Sequence, residues 1–416
     1  MTSNYKTRNW KQSIIFYVAG FYLFQGFYAT ALGLYKDNFL VETGMDPGTF
    51  ALITAVLILP NYLKMLLILL SDRFPIRNYR RKPYILIGAV LYIPCFAGLI
   101  LTHDENAITG GWVFFVIMTG WVWVLVDGTL DALTVDVTPD SKMGIMQGSA
   151  WGARGIGGVV GALVIMQIGA AKGWRMALFA VGVFAIVQAL FGLMIKEKKI
   201  YKKDLPEFKT VFKETFSRKE VWVGLLFVML SMTTTAPYMF FIPLFGGSGD
   251  ITLTKTQLGT AYAIAMIGTF FGATIFGKIS DMVGAKKTFI ITAVMFWSGS
   301  LLFLMIDAQT GLPFCYMLVA IFGLNIGAFM TSVNRISMEL SESISKDKPG
   351  IEGFMFSTFS SISNFGTAAV GGLIIGFGTR FLKLDLTSAF FLVLPLTILS
   401  AFLMKYVNPW VPEKPE

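Results

Sequence analysis

Apolar residues gather into twelve long runs, at about 12–34, 49–70, 83–101, 112–135, 146–169, 174–195, 221–244, 257–279, 288–306, 312–338, 353–377 and 387–407. Each is close to the roughly 20 residues that a helix needs to cross the hydrocarbon of a bilayer. None shows the apolar–polar alternation over about ten residues that marks a membrane β-strand. The pattern therefore predicts an all-α polytopic membrane protein of twelve transmembrane helices. A polar, Lys-rich stretch from Lys196 to Glu220 divides the runs six and six. The domains read as an N-terminal half over 1–195, a linker over 196–220 and a C-terminal half over 221–416. Twelve spans consume about 240–280 residues, so a chain of 416 leaves room for short loops only.

Charge sets the orientation. Cytoplasmic loops of membrane proteins carry an excess of Lys and Arg. With the N-terminus inside, the cytoplasmic segments hold 25 of the 34 basic residues and the external ones six, Lys36 among them. This predicts an integral protein of the plasma membrane with both termini and the linker cytoplasmic. The net charge of +9 is then a signature of membrane orientation, and no nucleic-acid partner is expected. The composition agrees, with 55% hydrophobic and only 14% charged residues, against roughly 25% charged in soluble domains. The first apolar run is too long for a signal-peptide core and lacks a small-residue cleavage site, so it reads as a retained helix. Trp10, Trp112, Trp174, Trp222 and Trp410 fall near predicted helix ends, as an interfacial aromatic belt would place them.

Several chemistries are excluded. Cys95 and Cys315 both sit in apolar runs, which rules out a disulfide scaffold. No Walker loop is present, so no ATP site is expected. The single histidine, His103, lies in a predicted external loop without metal-ligand partners, and no nucleophile–base constellation appears. Neither enzyme activity, nor a cofactor, nor a metal is expected.

The two halves carry related loops. After helix 2 the chain reads Ser71-Asp72-Arg73-Phe74-Pro75, then Tyr79-Arg80-Arg81-Lys82-Pro83; after helix 8 it reads Gly277-Lys278-Ile279-Ser280-Asp281-Met282-Val283-Gly284-Ala285-Lys286-Lys287. The two Ser-Asp pairs lie 209 residues apart, half the chain length. The second loop resembles the signature loop of the major facilitator superfamily: Gly, three residues, Asp, then Gly and a basic pair. The first departs from it, with Ile68 in place of the Gly and a longer basic tail. The resemblance implies two pseudo-symmetric six-helix halves around a central cavity, and transport by alternating access. Leu59-Pro60-Asn61-Tyr62-Leu63-Lys64, the loop after helix 2, and Gln147-Gly148-Ser149-Ala150-Trp151-Gly152-Ala153-Arg154-Gly155 are similar to the folate–biopterin transporters. Glu352-Gly353-Phe354 is similar to the cation-coupled glycoside transporters, so the two likenesses imply different solutes. The Gly-Pro pair that the superfamily's drug antiporters carry in helix 5 is absent, which argues against drug–proton antiport.

An acid at the cytoplasmic end of a helix can pair with Arg or Lys, or face a helix N-terminus. Contacts of this kind exist in one of two rocking states and bias the equilibrium between them. Asp72, Arg73, Arg81, Asp136, Asp281, Lys286 and Glu339 are the gating candidates on that ground.

Charges at bilayer depth cost about 2.5–3.5 kcal/mol each on insertion scales, and mark function. Asp127 and Asp131 share one face of helix 4, a turn apart. Asp127 lies roughly 12 Å above the cytoplasmic end, and Arg154 reaches similar depth on antiparallel helix 5. They are expected in contact, as a structural ion pair or as a proton-coupled switch. Lys64, about 10 Å deep, either snorkels or joins the site with Asn61, which shares its face. Arg335 is the counterpart of the helix 4 acids in the second half, or pairs locally with Glu339. Gln25 and Tyr28 are mid-membrane polar candidates in helix 1, and Trp151 and Tyr238 complete the set. Helix 7, with Thr233, Thr234, Thr235, Pro237 and Pro243, is expected to bend and to line a wet cavity.

These features predict a monomeric secondary transporter for a polar, anionic small molecule, coupled to a proton or Na⁺. Sugar or glycoside symport is the alternative, and a non-transporting assembly factor or receptor on the same fold is the alternative from another class. The topology is testable: Lys202→Cys should resist impermeant thiol labelling in intact cells and react once the cells are opened. Rapid labelling from outside would invert the orientation.

Overall fold

Among the described residues of the computed structural model, ten helices are long and apolar enough to cross a membrane. Two further passages complete a twelve-helix layout. The structure describes residues 20–138, 142–195, 197, 199, 212–213, 216–246, 251–306, 310–345 and 352–407. Both termini, Trp10, Trp410, Lys202 and most of the 196–220 linker lie outside the described residues.

The first half comprises α1 (Leu23–Glu42), α2, α3 (Lys82–Thr102), α4 (Gly110–Val137), α5 (Met143–Lys172) and α6 (Trp174–Gly192). Helix α2 runs as three pieces, Pro47–Leu57, Leu59–Tyr62 and Lys64–Arg73. The interruption surrounds Pro60, whose ring removes a backbone donor and crowds the preceding turn. The second half comprises α7 (Lys219–Thr233), α8 (Lys255–Val283), α9 (Ala285–Leu301), α10 (Leu312–Ser345), α11 and α12. Helix α11 runs from Glu352–Asn364 through a π-helical stretch, Phe365–Gly371, to Gly372–Arg380. Helix α12 is Leu386–Phe390 followed by Pro395–Val407. Outward faces are apolar and exposed, as at Val90, Phe179, Leu190, Phe271, Val294 and Phe402, while Lys64, Asp127 and Arg335 are buried. This is the arrangement that lipid imposes, with polar groups turned into the bundle.

The halves touch at both ends. Helices α5 and α8 approach closely along a seam of glycines. A Cβ on Gly277 would fall 2.7 Å from the Gly144 carbonyl oxygen and 2.7 Å from Gly148 Cα. Only glycine permits this backbone contact, the small-residue packing that bilayers favour. At the opposite end Lys255 Nζ of α8 lies 2.7 Å from Glu42 Oε1 of α1.

Four sequence expectations are corrected here. Helix α1 continues to Glu42, so Lys36 is not in an external loop but inside a helix and buried. Trp112 and Trp174 are also internal. Their indole N–H groups donate to Tyr35 Oη (2.7 Å) and Glu42 Oε2 (2.9 Å). His103 is buried among Tyr35, Phe39 and Trp112, with Nδ1 3.0 Å from the Tyr35 hydroxyl. Burial, and then Arg175, hold its pKa below the ordinary histidine value. Finally, α7 does bend, passing into a 3₁₀ turn at Ala236–Phe240, but its threonine hydroxyls do not line the cavity. Thr233, Thr234 and Thr235 donate to the Met229, Ser231 and Met232 carbonyls of their own helix. Such back-bonding satisfies the hydroxyls locally and favours the bend.

Candidate functional site

A cavity of about 360 Å³ lies between the halves. Its charged wall grows from three local features. The break at Leu63 starts the last piece of α2 at Lys64. The spacing of Asp127 and Asp131 stacks two carboxylates on one face of α4. The glycine-rich α5 lies against α1 so closely that a Cβ on Gly26 would meet the backbone of Arg154.

The ammonium of Lys64 contacts the Asp127 and Asp131 carboxylates together, and donates to Ser360 Oγ of α11 at 3.1 Å. Arg154 Nη2 contacts Asp127 and stands 3.9 Å from Asp131 Oδ1. Gln25 Oε1 accepts from Arg154 Nε (3.0 Å) and Nη2 (2.7 Å). The guanidinium also lies over the rings of Trp151 (4.8 Å) and Tyr22 (5.1 Å), and the Tyr22 hydroxyl donates to Asp131 Oδ1 at 2.8 Å. Two acids thus meet two bases in a net-neutral group. The Lys64 side chain is 1% exposed and that of Arg154 is 18% exposed. Arg154 is therefore the most exposed member at the cavity wall, and Lys64 does not snorkel.

Of the expected site residues, Asn61, Asp127, Trp151, Arg154 and Tyr238 line the cavity. Asn61 Oδ1 is buried there with no hydrogen-bond partner. Lys64 and Asp131 stand behind the wall, and Gln25 holds Arg154. Tyr28 is a correction: it is fully buried and stacks on Tyr92 at 4.6 Å, and it is not among the lining residues. Arg335 is another, since it stands at the Asp281 end of the bundle and lines no part of the cavity. Tyr22, Ser360 and Ser361, whose hydroxyl accepts from the Met65 N–H at 3.2 Å, were not singled out from sequence. Ser360 and Ser361 belong to a visible polar run in helix 11, but Tyr22 looks like any aromatic of an apolar helix.

The sequence model of the Major Facilitator Superfamily matches residues 13–346 and 248–416. The chain belongs to the Major Facilitator Superfamily. It is an integral membrane protein of a transporter family. Among solved structures the fold is similar to a variant of the E. coli fucose:proton symporter FucP, at 11% identity and TM-score 0.66, covering 96% of this chain and 99% of that one. It is likewise similar to the human organic anion transporter MFSD10 (TETRAN), at 14% identity and TM-score 0.68, covering 95% and 99%. No curated protein matches the chain by sequence.

In this superfamily member the two Ser-Asp loops hold different things. Asp281 reaches across to the first half. Its carboxylate accepts from the N–H groups of Gly144 (2.9 Å) and Ile145 (2.8 Å) at the start of α5. That helix has no side-chain cap of its own, so Asp281 supplies the anion its N-terminus attracts. Arg335 Nη1 then bridges to Asp281 at 2.9 Å, and Arg335 Nε to Glu339 at 2.7 Å. Asp72 instead stays within its half. It pairs with Arg80 (3.4 Å) and Arg81 (2.7 Å), which also reach Asp136 at 3.2 and 3.4 Å. Glu197 accepts from the N–H groups of Arg80, Arg81 and Lys82, the last at 2.8 Å, where α3 begins. Burial nevertheless pushes the Glu197 carboxyl above its usual pKa, with those bonds opposing the shift. Arg73 is exposed, and neither Arg73 nor Lys286 makes an ion pair among the described residues.

Removing one member of a buried charge group leaves its partner uncompensated, at a cost of about 3–5 kcal/mol, while removing an acid and a base together is often tolerated. Arg154→Gln should therefore lower the unfolding temperature of the purified protein more than Arg154→Gln with Asp127→Asn, which leaves Lys64 with one acid. Additive losses in a double-mutant cycle would show that the two do not act as a pair.

Proposed function

We propose that the protein is a secondary active transporter that moves a small organic anion together with a proton by alternating access. The observation that carries this reading is the neutral group of Lys64, Asp127, Asp131 and Arg154, in which Arg154 is the most exposed member and meets the cavity together with Asp127. A solute carboxylate on Arg154 draws the guanidinium away from Asp127. Lys64 is then left with two acids, one negative charge in excess. An uncompensated ion in a water-poor interior costs several kcal/mol. A proton on Asp127 or Asp131 restores neutrality, so anion and proton enter and leave together. A Na⁺ between the two carboxylates would balance the charge equally well, and the pH dependence of uptake separates the ions.

Asn61, Trp151 and Tyr238 would shape the solute site. Asp72, Arg81, Asp136, Asp281 and Glu339, joined by Arg335, would act as the gate at what the charge pattern makes the cytoplasmic end. Asp281 is the stronger lever, because its bonds cross from one half to the other and are lost when that end opens. Rocking of the six-helix halves over 1–195 and 221–416 about the α5–α8 seam fits the seam's lack of side chains at Gly144, Gly148 and Gly277. On this reading the monomer, with its own two halves around the cavity, is the working unit. The charge pattern supports cytoplasmic termini, and residence in the plasma membrane is part of the same proposal. Sugar–proton symport is the second reading. Trp151 in the cavity wall offers a face for a sugar ring, and one structure of similar fold is a fucose:proton symporter. A receptor or assembly factor would have no need of four charges at this depth, and an enzyme would need a reactive constellation in the cavity.

Proteoliposomes assayed with radiolabelled organic acids, sugars and pterins test the proposal. An inwardly directed proton gradient should drive accumulation of at least one acid. Asp127→Asn with Asp131→Asn should abolish that accumulation while solute exchange persists. Accumulation of sugars alone would favour the second reading, and acid uptake indifferent to the pH gradient in the unmodified protein would contradict proton coupling.

A further inference from the structure

A second charged pair stands in the same cavity, remote from Arg154. Lys36 and Asp37 of α1 both line it, with Lys36 Nζ 2.9 Å from Asp37 Oδ1. The Asp37 side chain is 15% exposed, so its carboxylate meets the cavity beside the Lys36 ammonium. The hydroxyls of Tyr238 and Tyr262, on α7 and α8, contact one another, and both residues line the cavity with Lys36 and Asp37. Both halves therefore contribute to this corner, as they do at Lys64 and Ser360.

The spacing of the two corners follows from the helices. Gly26, at the level of Arg154, and Asp37 both line the cavity eleven residues apart on α1, and Asp127 and Val116 do the same on α4. At 1.5 Å per residue each separation is roughly 16 Å. The wall between is apolar and adaptable, with Leu57, Trp123, Met232, Met266, Ile326 and Met330. Methionine and aromatic surface of this kind moulds itself to an apolar body. A structural ion pair between sequence neighbours would need no position on the cavity wall.

We propose that Lys36, Asp37, Tyr238 and Tyr262 form a second recognition pole, and that the solute is an elongated amphipathic anion whose far end carries a hydrogen-bond donor such as an amine. The carboxylate sits on Arg154, the apolar body crosses the methionine wall, and the donor engages the Asp37 carboxylate where it meets the cavity. A molecule reaching both poles is on the order of 10 Å long once side-chain reach at each end is allowed for. This rests on the anion reading of Arg154 and specifies the other end of the same solute.

The test is calorimetric binding to the full-length protein in lipid nanodiscs. Two series of straight-chain acids serve as probes, ω-amino carboxylates and the matching unsubstituted carboxylates, from propionate-sized to dodecanoate-sized. The ω-amino series should show an optimum at intermediate length and there bind about tenfold or more tighter than the unsubstituted acid, the size of one charge-assisted hydrogen bond. Asp37→Asn should bring the ratio between the series close to one. An equal loss in both series, or an unmodified protein indifferent to length and to the amine, would overturn the second pole; the length profile decides this even if the variant does not fold. Binding of both series through Arg154 without such preference would leave the anion reading standing and remove only the second pole. If no carboxylate binds and Arg154→Gln changes nothing, the anion reading itself fails and the second pole falls with it.

Discussion

Charge neutrality inside a water-poor bundle is the constraint on which the rest of this structure depends. Four ionised side chains stand at bilayer depth, and each alone would cost several kcal/mol to insert. They are tolerated because Lys64 touches both acids, Arg154 touches Asp127, and Gln25, Tyr22 and Ser360 take up remaining donors and acceptors. These groups come from α1, α2, α4, α5 and α11. The polar network thus fixes how the helices stand relative to one another, in a solvent where apolar side chains gain nothing by leaving lipid for one another. The same arithmetic makes the group responsive. Any ion arriving at Arg154 unbalances it, and on the proposed reading the imbalance is what links solute to proton.

A link between solute and proton is useful only if it also biases the two ends of the cavity. Ser360 and Ser361 of α11 bond to Lys64 and to the Met65 N–H of α2, so the charged group is in register with a helix of the opposite half. Beyond it, the tip of α8 holds the start of α5 through Asp281. At the other end Glu42, Trp174 and Lys255 meet, with Lys255 also lying over the Trp174 ring at 4.5 Å. Glu42 and Lys255 are each about one-third exposed, so that contact is screened and weak, whereas the Asp281 bonds are backed by the partial charge of a helix end. The two closures therefore differ in strength as well as place.

Depth along a helix is legible in a sequence, because residues advance by a constant rise; rotation about the axis and the identity of neighbouring helices are not. This division explains what reading the residues alone reached. The twelve-helix layout and the equal depth of Asp127 and Arg154 both follow from spacing and composition. Lys64 was undecided between lipid interface and bundle interior, since the breaks at Ile58 and Leu63 that turn it inward follow from Pro60 only in three dimensions. Arg335 was left open between a counterpart of the helix 4 acids and a local pair with Glu339; the pair is made, and its depth is nearer the end, where Asp281 lies. Tyr22 carries no signal at all in an aromatic-rich apolar run. Trp112 and Trp174 sit at the depth of an interfacial belt but face inward, onto Tyr35 and Glu42. Lys36 was assigned to a loop because a charged pair normally ends a span, and here it lines a cavity instead.

Direct measurement of protons tests the central claim most closely. Purified protein in weakly buffered solution near neutral pH, with a pH-indicating dye, is titrated with the tightest-binding organic acid found in the uptake panel. The account predicts uptake of about one proton per bound anion, falling to none when Asp127→Asn and Asp131→Asn are combined in a variant that still binds the acid. Anion binding without proton uptake in the unmodified protein, in the absence of Na⁺, would contradict it.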